Sequence, residues 1–265
     1  MEDMGADSRD VPHTDFIYCG GAATEVLKFG SVKLHPGHKI LFLIIPESSL
    51  AADADVFGLD SQIKHKLSFL RKHVPRETSL VLIGHSIGCY IILEMMKLDP
   101  ELKVVKAVLL FPTIERMAQT PQGKVMTPVL CYMRYIAYLP VFLLSLLPES
   151  LKSILITLVL GGIRSLDSRS VSVSVANAMY MGSQEMRKVW GRDNVTIQEN
   201  LGKLIFYYGA SDHWCPVQYY QDIKRDFPHG HIRLCDKGFR HAFVLDAGRD
   251  VARMVSEWIH GDLKT

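Results

Sequence analysis

Apolar positions recur along the chain in two rhythms, and the switches between them outline a fold. Phe16-Ile17-Tyr18-Cys19 and Thr24 to Phe29 flank Gly20-Gly21, which predicts two strands around a glycine turn. Lys39 to Ile45 (KILFLII) is an apolar run, as a strand covered on both faces must be, and Pro46 ends it. Val56 to His73 shifts to helical spacing, with Leu59, Ile63, Leu67 and Leu70 on one face and Pro75 beyond its end. Ser79 to Ile83 is the next buried strand, Ile87 to Leu98 the next helix and Val104 to Phe111 the next strand. Lys203 to Tyr208 and Ile232 to Cys235 add two strands, and Val251 to Ile259 a closing helix. Strands alternating with helices predict an α/β fold, its largely parallel sheet built from right-handed crossovers.

The rhythm breaks between Pro112 and Lys203. Val129 to Leu147 is about as long as a membrane-crossing run, but Arg134 and Pro140 interrupt it. A second apolar stretch, Leu151 to Leu160, follows Pro148-Glu149-Ser150. Two short segments argue against a clean bilayer span. They fit a helical cap over an active site or a helical hairpin whose apolar faces enter a lipid surface, and the two uses are compatible. In the second use Arg134, Lys152 and Arg164 reach toward head groups. The expected organisation is one α/β core in two parts, 1–112 and 203–265, with 113–202 as the insertion.

Composition narrows the partners. The chain has 265 residues, 48% of them hydrophobic, enough for one large core, and a formal charge of +2. Lys and Arg are scattered without a basic stripe, so nucleic acid is not an expected partner. The five cysteines, Cys19, Cys89, Cys131, Cys215 and Cys235, are widely spaced with no C-x-x-C pair. That pattern indicates neither a zinc site nor a disulfide framework, and it fits a reducing, cytosol-facing compartment. Met1 to Asp15 lacks the charged-then-apolar order of a signal peptide. No cofactor or metal is expected.

The chemistry concentrates in Gly84-His85-Ser86-Ile87-Gly88, a G-x-S-x-G sequence with a strand before it and a helix after it. That context puts Ser86 on a sharp turn, exposes its hydroxyl and places it at a helix N-terminus, where positive potential favours a developing oxyanion. A plain turn with a serine cap would carry the same letters. Serine needs a base, and the base needs an orienting carboxylate, in the order Ser, Asp or Glu, His. Asp212 follows the KLIFYY strand in the turn Gly209-Ala210-Ser211-Asp212; Asp222 and Asp226 read as exposed residues of the next helix. An aspartate there could also simply bond its own backbone. Of eleven histidines, only His241 and His260 follow the last strand. His260 sits at the far end of the closing helix, which leaves His241, in the loop Gly238 to Phe243, as the base rather than a solvent-exposed loop histidine. The backbone N–H of Ile87 supplies one oxyanion donor, and a second is expected from the loop after the third strand.

With these residues in place the chain resembles the lipid droplet-associated hydrolases, a branch of the α/β-hydrolases. The likeness is carried by Leu67 to Gly88 (LSFLRKHVPRETSLVLIGHSIG), Leu109 to Met117 (LLFPTIERM), Phe206 to Lys224 (FYYGASDHWCPVQYYQDIK) and Asp226 to Phe243 (DFPHGHIRLCDKGFRHAF), with Tyr18 to Ala22 in addition. It implies a serine hydrolase of lipid esters, sterol esters among them, at the lipid droplet or endoplasmic reticulum surface, with Ser86, Asp212 and His241 as the triad and Val129 to Leu160 on the droplet monolayer. One departure stands out. The family continues after the third strand with a Gly-Asn-Pro-Gly-like loop, a helix and another strand, whereas here Pro46 runs through Glu47 to Asp55 straight into the Val56 helix. The chain resembles a shortened form whose lost strand lies between the N-terminal hairpin and Lys39 to Ile45. That loss leaves the strand edge unpaired or re-paired, and it leaves the second donor missing or improvised from Glu47 and Ser48. A shortened form that loses the chemistry but keeps its apolar region would be a lipid-droplet-binding protein. A hydrolase of small soluble esters or thioesters leaves that region without a use.

Overall fold

The computed structural model describes residues 13–19, 22–28, 40–45, 58–133, 139, 142–144, 146–148, 150–152, 154 and 179–262. Its centre is a five-stranded parallel sheet in the order β3-β4-β5-β6-β7: Ile40–Ile45, Ser79–His85, Val104–Leu110, Leu204–Gly209 and His231–Cys235. Every neighbouring pair is parallel, as strands joined by helical crossovers should be. β6 is buried at all six positions, which is why KLIFYY shows no polar alternation.

Helix α1 (Leu59–His73) buries Leu59, Ile63, Leu67 and Leu70, the stripe its spacing predicts. Asp60 in its first turn and Arg71, Lys72 and His73 in its last suit the helix dipole. Helix α2 (Ile87–Leu98) is apolar nearly all round because it is enclosed, lying on β4 and β5 and against α1. Helices α3 (Pro121–Thr127), α4 (Asn194–Asn200), α5 (Val217–Asp226) and α6 (Gly248–Asp262) complete the named elements, and residues 179–188 are also helical.

The N-terminal strands β1 (His13–Cys19) and β2 (Ala22–Lys28) pair antiparallel as a sheet of their own. They lean on α1, where Thr24 Oγ1 meets His65 Nε2 at 2.8 Å and the Cys19 thiol donates to Ser68 Oγ at 3.6 Å. Among the described residues β3 has β4 on one side and no strand on the other. A sheet that has lost a strand between β2 and β3 would end in this way. The Gly20-Gly21 turn and the loop Glu47 to Asp55 lie outside the described residues.

Two distant stretches of 113–202 meet at one place. Arg116 N–H donates to Trp190 O at 3.2 Å and Met117 N–H to Val189 O at 3.1 Å. Beside these bonds the Arg116 guanidinium meets Glu115 and Asp222, each at 2.7 Å, and Arg192 pairs with Glu115 and Asp226. Arg116 also lies 4.2 Å over the Tyr219 ring. Asp222 and Asp226 are therefore anchors of this ion network and not plain solvent-facing helix residues. The cause is tertiary, because the arginines arrive from outside their own helix.

Half of Val129 to Leu160 lies outside the described residues, Arg134 among them, as does Arg164. Of what is described, Tyr132, Met133, Leu139, Phe142, Leu143, Leu146, Leu151 and Ile154 are exposed, while Leu130 and Cys131 are buried. Lys152 departs from expectation, since it is buried and does not stand at the outer surface. Among the described residues no helix is long and apolar enough to cross a membrane.

Candidate active site

The end of β4 folds sharply into α2, and the fold of that corner rests on one glycine. A Cβ on Gly84 would stand 2.8 Å from the Gly88 carbonyl carbon and 2.9 Å from Cys89 N, so any other residue would push helix and strand apart. Ser86 follows with φ 54° and ψ −123°, a backbone that costs a non-glycine residue about 1–3 kcal/mol. Neighbouring backbone holds it there. Ser86 N–H donates to Leu110 O at 3.1 Å, and Ser86 O accepts from Cys89 N–H at 3.1 Å and Thr113 N–H at 3.4 Å. The hydroxyl is thereby turned out of the strand at the head of α2. The N–H of Ile87, first in that helix, is one of the amides a helix start leaves without an intrahelical acceptor.

Three side chains distant in sequence meet there. His241 Nε2 lies 2.9 Å from Ser86 Oγ, and His241 Nδ1 lies 2.7 Å from Asp212 Oδ2. With Nδ1–H donating to the carboxylate, Nε2 is free to accept the hydroxyl proton. The Asp212 side chain is 1% exposed and that of His241 18%, so the base faces solvent while its orienter does not. Asp212 Oδ1 accepts the N–H groups of Trp214 at 2.7 Å and Cys215 at 3.2 Å, and Oδ2 also accepts the Cys215 thiol at 2.9 Å. Burial pushes the Asp212 pKa up. The bonds from His241, Cys215 and Trp214 outweigh it, and the carboxyl lies below its ordinary value.

Asp212, Cys215 and His241 bring an oxygen, a sulfur and a ring nitrogen within 4.8 Å of one another, a donor set that could suit a metal ion. Two ligands of one tetrahedral zinc stand roughly 3.3–3.8 Å apart, given bond lengths of about 2.0–2.3 Å. The contacts of 2.7 and 2.9 Å are tighter, and they form a hydrogen-bonded chain and not a coordination shell.

Beneath the site is an aromatic floor. Phe111, fully buried at φ 49°, stacks on Phe243 at 5.3 Å and turns its edge to His241 at 6.0 Å. Gly209 makes room for it, since a Cβ there would stand 2.7 Å from the Phe111 ring. His85 adds a contact that the sequence reading did not assign. Its Nε2 donates to the His241 carbonyl at 2.8 Å, and its ring lies 4.9 Å from Phe243. Burial first, and then neighbouring His241, lower the His85 pKa to about 4, which keeps the ring neutral. In the sequence Cys215 likewise reads only as one of five scattered thiols. The signal for both was adjacency, His85 beside the nucleophile and Cys215 three residues after the acid. The loop Glu47 to Asp55, where a second oxyanion donor was expected, lies outside the described residues.

This strand-turn-helix corner and parallel sheet define an α/β-hydrolase. A serine hydrolase from Cycloclasticus zankles superposes with a TM-score of 0.62 at 14% identity, covering 95% of this chain and 99% of that one. A haloalkane dehalogenase from Agrobacterium tumefaciens superposes with a TM-score of 0.61 at 10% identity, covering 96% and 98%. Neighbours this distant and this varied establish the fold alone. The family follows from sequence: the chain belongs to the lipid-droplet associated hydrolases, whose family profile matches residues 32–244. Proteins named lipid droplet-associated hydrolase are 47% identical in Gallus gallus over 310 aligned positions (95% of this chain, 96% of that one) and 41% in Homo sapiens over 312 (95% and 96%). One from Drosophila melanogaster is 33% identical over 222 positions (79% and 71%). The chicken alignment is 45 positions longer than the 265-residue chain, so at least that many positions of the relative have no counterpart here.

Proposed function

We propose that this chain is a serine hydrolase of lipid carboxylic esters, sterol esters among them, working at the cytosol-facing surface of lipid droplets and the endoplasmic reticulum. The observation that carries the reading is the unbroken chain Asp212–His241–Ser86 on a strained strand-to-helix corner. Ser86 Oγ attacks the ester carbonyl carbon as its proton passes to His241 Nε2. The carbonyl oxygen becomes an oxyanion beside the Ile87 N–H. The carbon–oxygen bond to the alcohol then breaks, and the Nε2 proton goes to the departing oxygen. Water, deprotonated by the same nitrogen, hydrolyses the acyl-Ser86 ester and restores the serine. Asp212 keeps Nδ1 protonated throughout and steadies the imidazolium as it forms. No step calls for a metal or cofactor.

Attachment is assigned to Val129–Leu160, whose described residues present Tyr132, Phe142, Leu143 and Leu146 outward. Exposed apolar side chains of this size suit a monolayer, where burial of each large side chain contributes about 1.5–3 kcal/mol. The names of the relatives support the droplet as the location.

The test is fatty-acid release from an emulsified sterol ester by the wild-type chain and by Ser86→Ala. Release lost in the variant supports the reading, and equal release overturns it. A second reading, a lipid-droplet-binding protein with poor catalysis, draws support from a β3 edge that has no strand beside it among the described residues and from the missing alignment positions. It predicts droplet binding by the wild-type chain with no release above the variant's.

A further inference from the structure

We propose that Cys215 is a positioning residue of this hydrolase, its thiol acting as a hydrogen-bond donor that shares Asp212 Oδ2 with His241. The inference rests on the triad reading above and adds a fourth member to it.

Cys215 has no exposed surface, and its Sγ lies 2.9 Å from Oδ2, short for a contact to sulfur. The same residue gives its backbone N–H to Oδ1 at 3.2 Å, so it grips both carboxylate oxygens. An ionised carboxylate has about four acceptor positions. Trp214 N–H and Cys215 N–H occupy Oδ1, and His241 Nδ1–H and the thiol occupy Oδ2. All four donors are protein atoms, so water is not needed to hold this carboxylate in place. A residue chosen for packing alone would be served by valine, which fills similar space and donates nothing.

The thiol must stay protonated to donate, and its surroundings ensure that. Burial pushes the Cys215 pKa far up, and the Asp212 charge pushes it further. Four ionisable groups packed around the pair stay uncharged in the working range. Cys89 from α2 and Tyr208 from β6 are raised by burial, as is Tyr219 from α5, and His85 from β4 is held neutral. Beyond them the Glu115–Arg116–Arg192 network is charge-paired, and Arg240 next to His241 is paired with Asp246. Asp212 is thus the one charge in direct contact with His241. Two donors on one oxygen compete, each drawing density from the other. Removing the thiol makes Oδ2 a stronger acceptor for Nδ1–H, favours the imidazolium and frees the carboxylate to swing.

The experiment compares Cys215→Val, Cys215→Ala and Cys215→Ser in the full chain, with Ser86→Ala as control. The Val and Ala variants should move the acid limb of the kcat/KM profile up by about half to one pH unit and lower kcat about tenfold, with KM little changed. Cys215→Ser should restore both to near wild type, since its hydroxyl still reaches the carboxylate. In the proton spectrum, the low-field His241 Nδ1–H resonance, assigned by its loss in His241→Gln, should move further downfield in Val and Ala and return in Ser. That resonance needs no turnover, so it reads the thiol even if the chain proves inactive. Val and wild type alike in profile and resonance, or Ser behaving as Val, overturns the role of Cys215. Ser86→Ala retaining turnover instead overturns the triad, a separate failure. Val is checked for folding by its melting curve, and Ala stands in for it should it fail to fold.

Discussion

The two flanks of strand β4 are unequal. On one side β5, β6 and β7 follow in unbroken parallel order, with one register shift between β4 and β5 at Leu80/Val81. On the other, β3 ends the described sheet, and the β1–β2 hairpin stands apart as a sheet of its own. Every side chain of the candidate triad comes from β4 and the complete flank: Ser86 from the end of β4, Asp212 from the turn after β6, His241 from the loop after β7. The expected second oxyanion donor belongs to the loop after β3, on the curtailed flank. In the proposed mechanism the relay and the Ile87 donor both sit on β4 and the complete flank, and only the second donor depends on the other, so a loss there can weaken oxyanion stabilisation while leaving the relay assembled.

The sharpest way to break this contrast is at the complete flank. Ser86→Ala should remove all esterase turnover, since no other described serine occupies such a corner; residual turnover at wild-type level would show that the relay has no part in it. Asp212→Asn should lower kcat about 10⁴-fold by leaving His241 in the wrong tautomer. His241→Ala should be as damaging and the double variant little worse, because the groups act as a unit. Steady-state kinetics on a soluble ester decides this, and additive losses would mean that the residues do not share one device.

The insertion offers the next largest effect. Replacing Phe142, Leu143 and Leu146 by Ser removes three exposed anchors worth about 1.5 kcal/mol or more each. Droplet partitioning, measured by flotation, should fall by roughly three orders of magnitude, and unaltered flotation would leave the segment a plain cap. On the curtailed flank, a form containing the missing segment should turn over at least ~100-fold faster, the scale of one oxyanion donor, and melt more cooperatively. Equal kcat and equal melting would contradict the inequality of the flanks.

The smallest effect concerns His85. Its pKa is depressed to about 4 in the folded chain from an ordinary 6.5. The unfolded chain therefore binds the extra proton first as pH falls, and the stability this group contributes is complete above pH 6.5 and lost progressively toward pH 4. At pH 5 the loss is about 2 kcal/mol. His85→Gln should not show it, so denaturant curves of the two proteins should converge on acidification through that window. Asp212, depressed below the ordinary carboxyl value, adds a loss common to both proteins at lower pH still.

Much of this was legible in the sequence because local signals agreed. The stripe Leu59, Ile63, Leu67 and Leu70 predicted the buried face of α1, and the apolar runs predicted β3 to β7 to within a residue or two. Ser86, Asp212 and His241 could be picked out because chain order after successive strands constrains where such residues fall. What was not legible depends on contacts made across the fold. Asp222 reads as a surface helix residue until Arg116, 106 positions earlier, is brought to 2.7 Å from it. Lys152 reads as a snorkelling cation and is instead buried. His85 and Cys215 are small entries beside louder neighbours, and only the distances to the His241 carbonyl and Asp212 Oδ2 reveal what they hold.

The central claim is that the relay on the complete flank is assembled and reactive even though the other flank is curtailed. A fluorophosphonate probe tests it most directly, because phosphonylation needs an activated serine and no lipid surface. Peptide mass spectrometry after labelling should place the adduct on Ser86, with labelling lost in Ser86→Ala and strongly slowed in Asp212→Asn. A folded wild-type chain that takes no label, or takes it on another residue, would contradict the account.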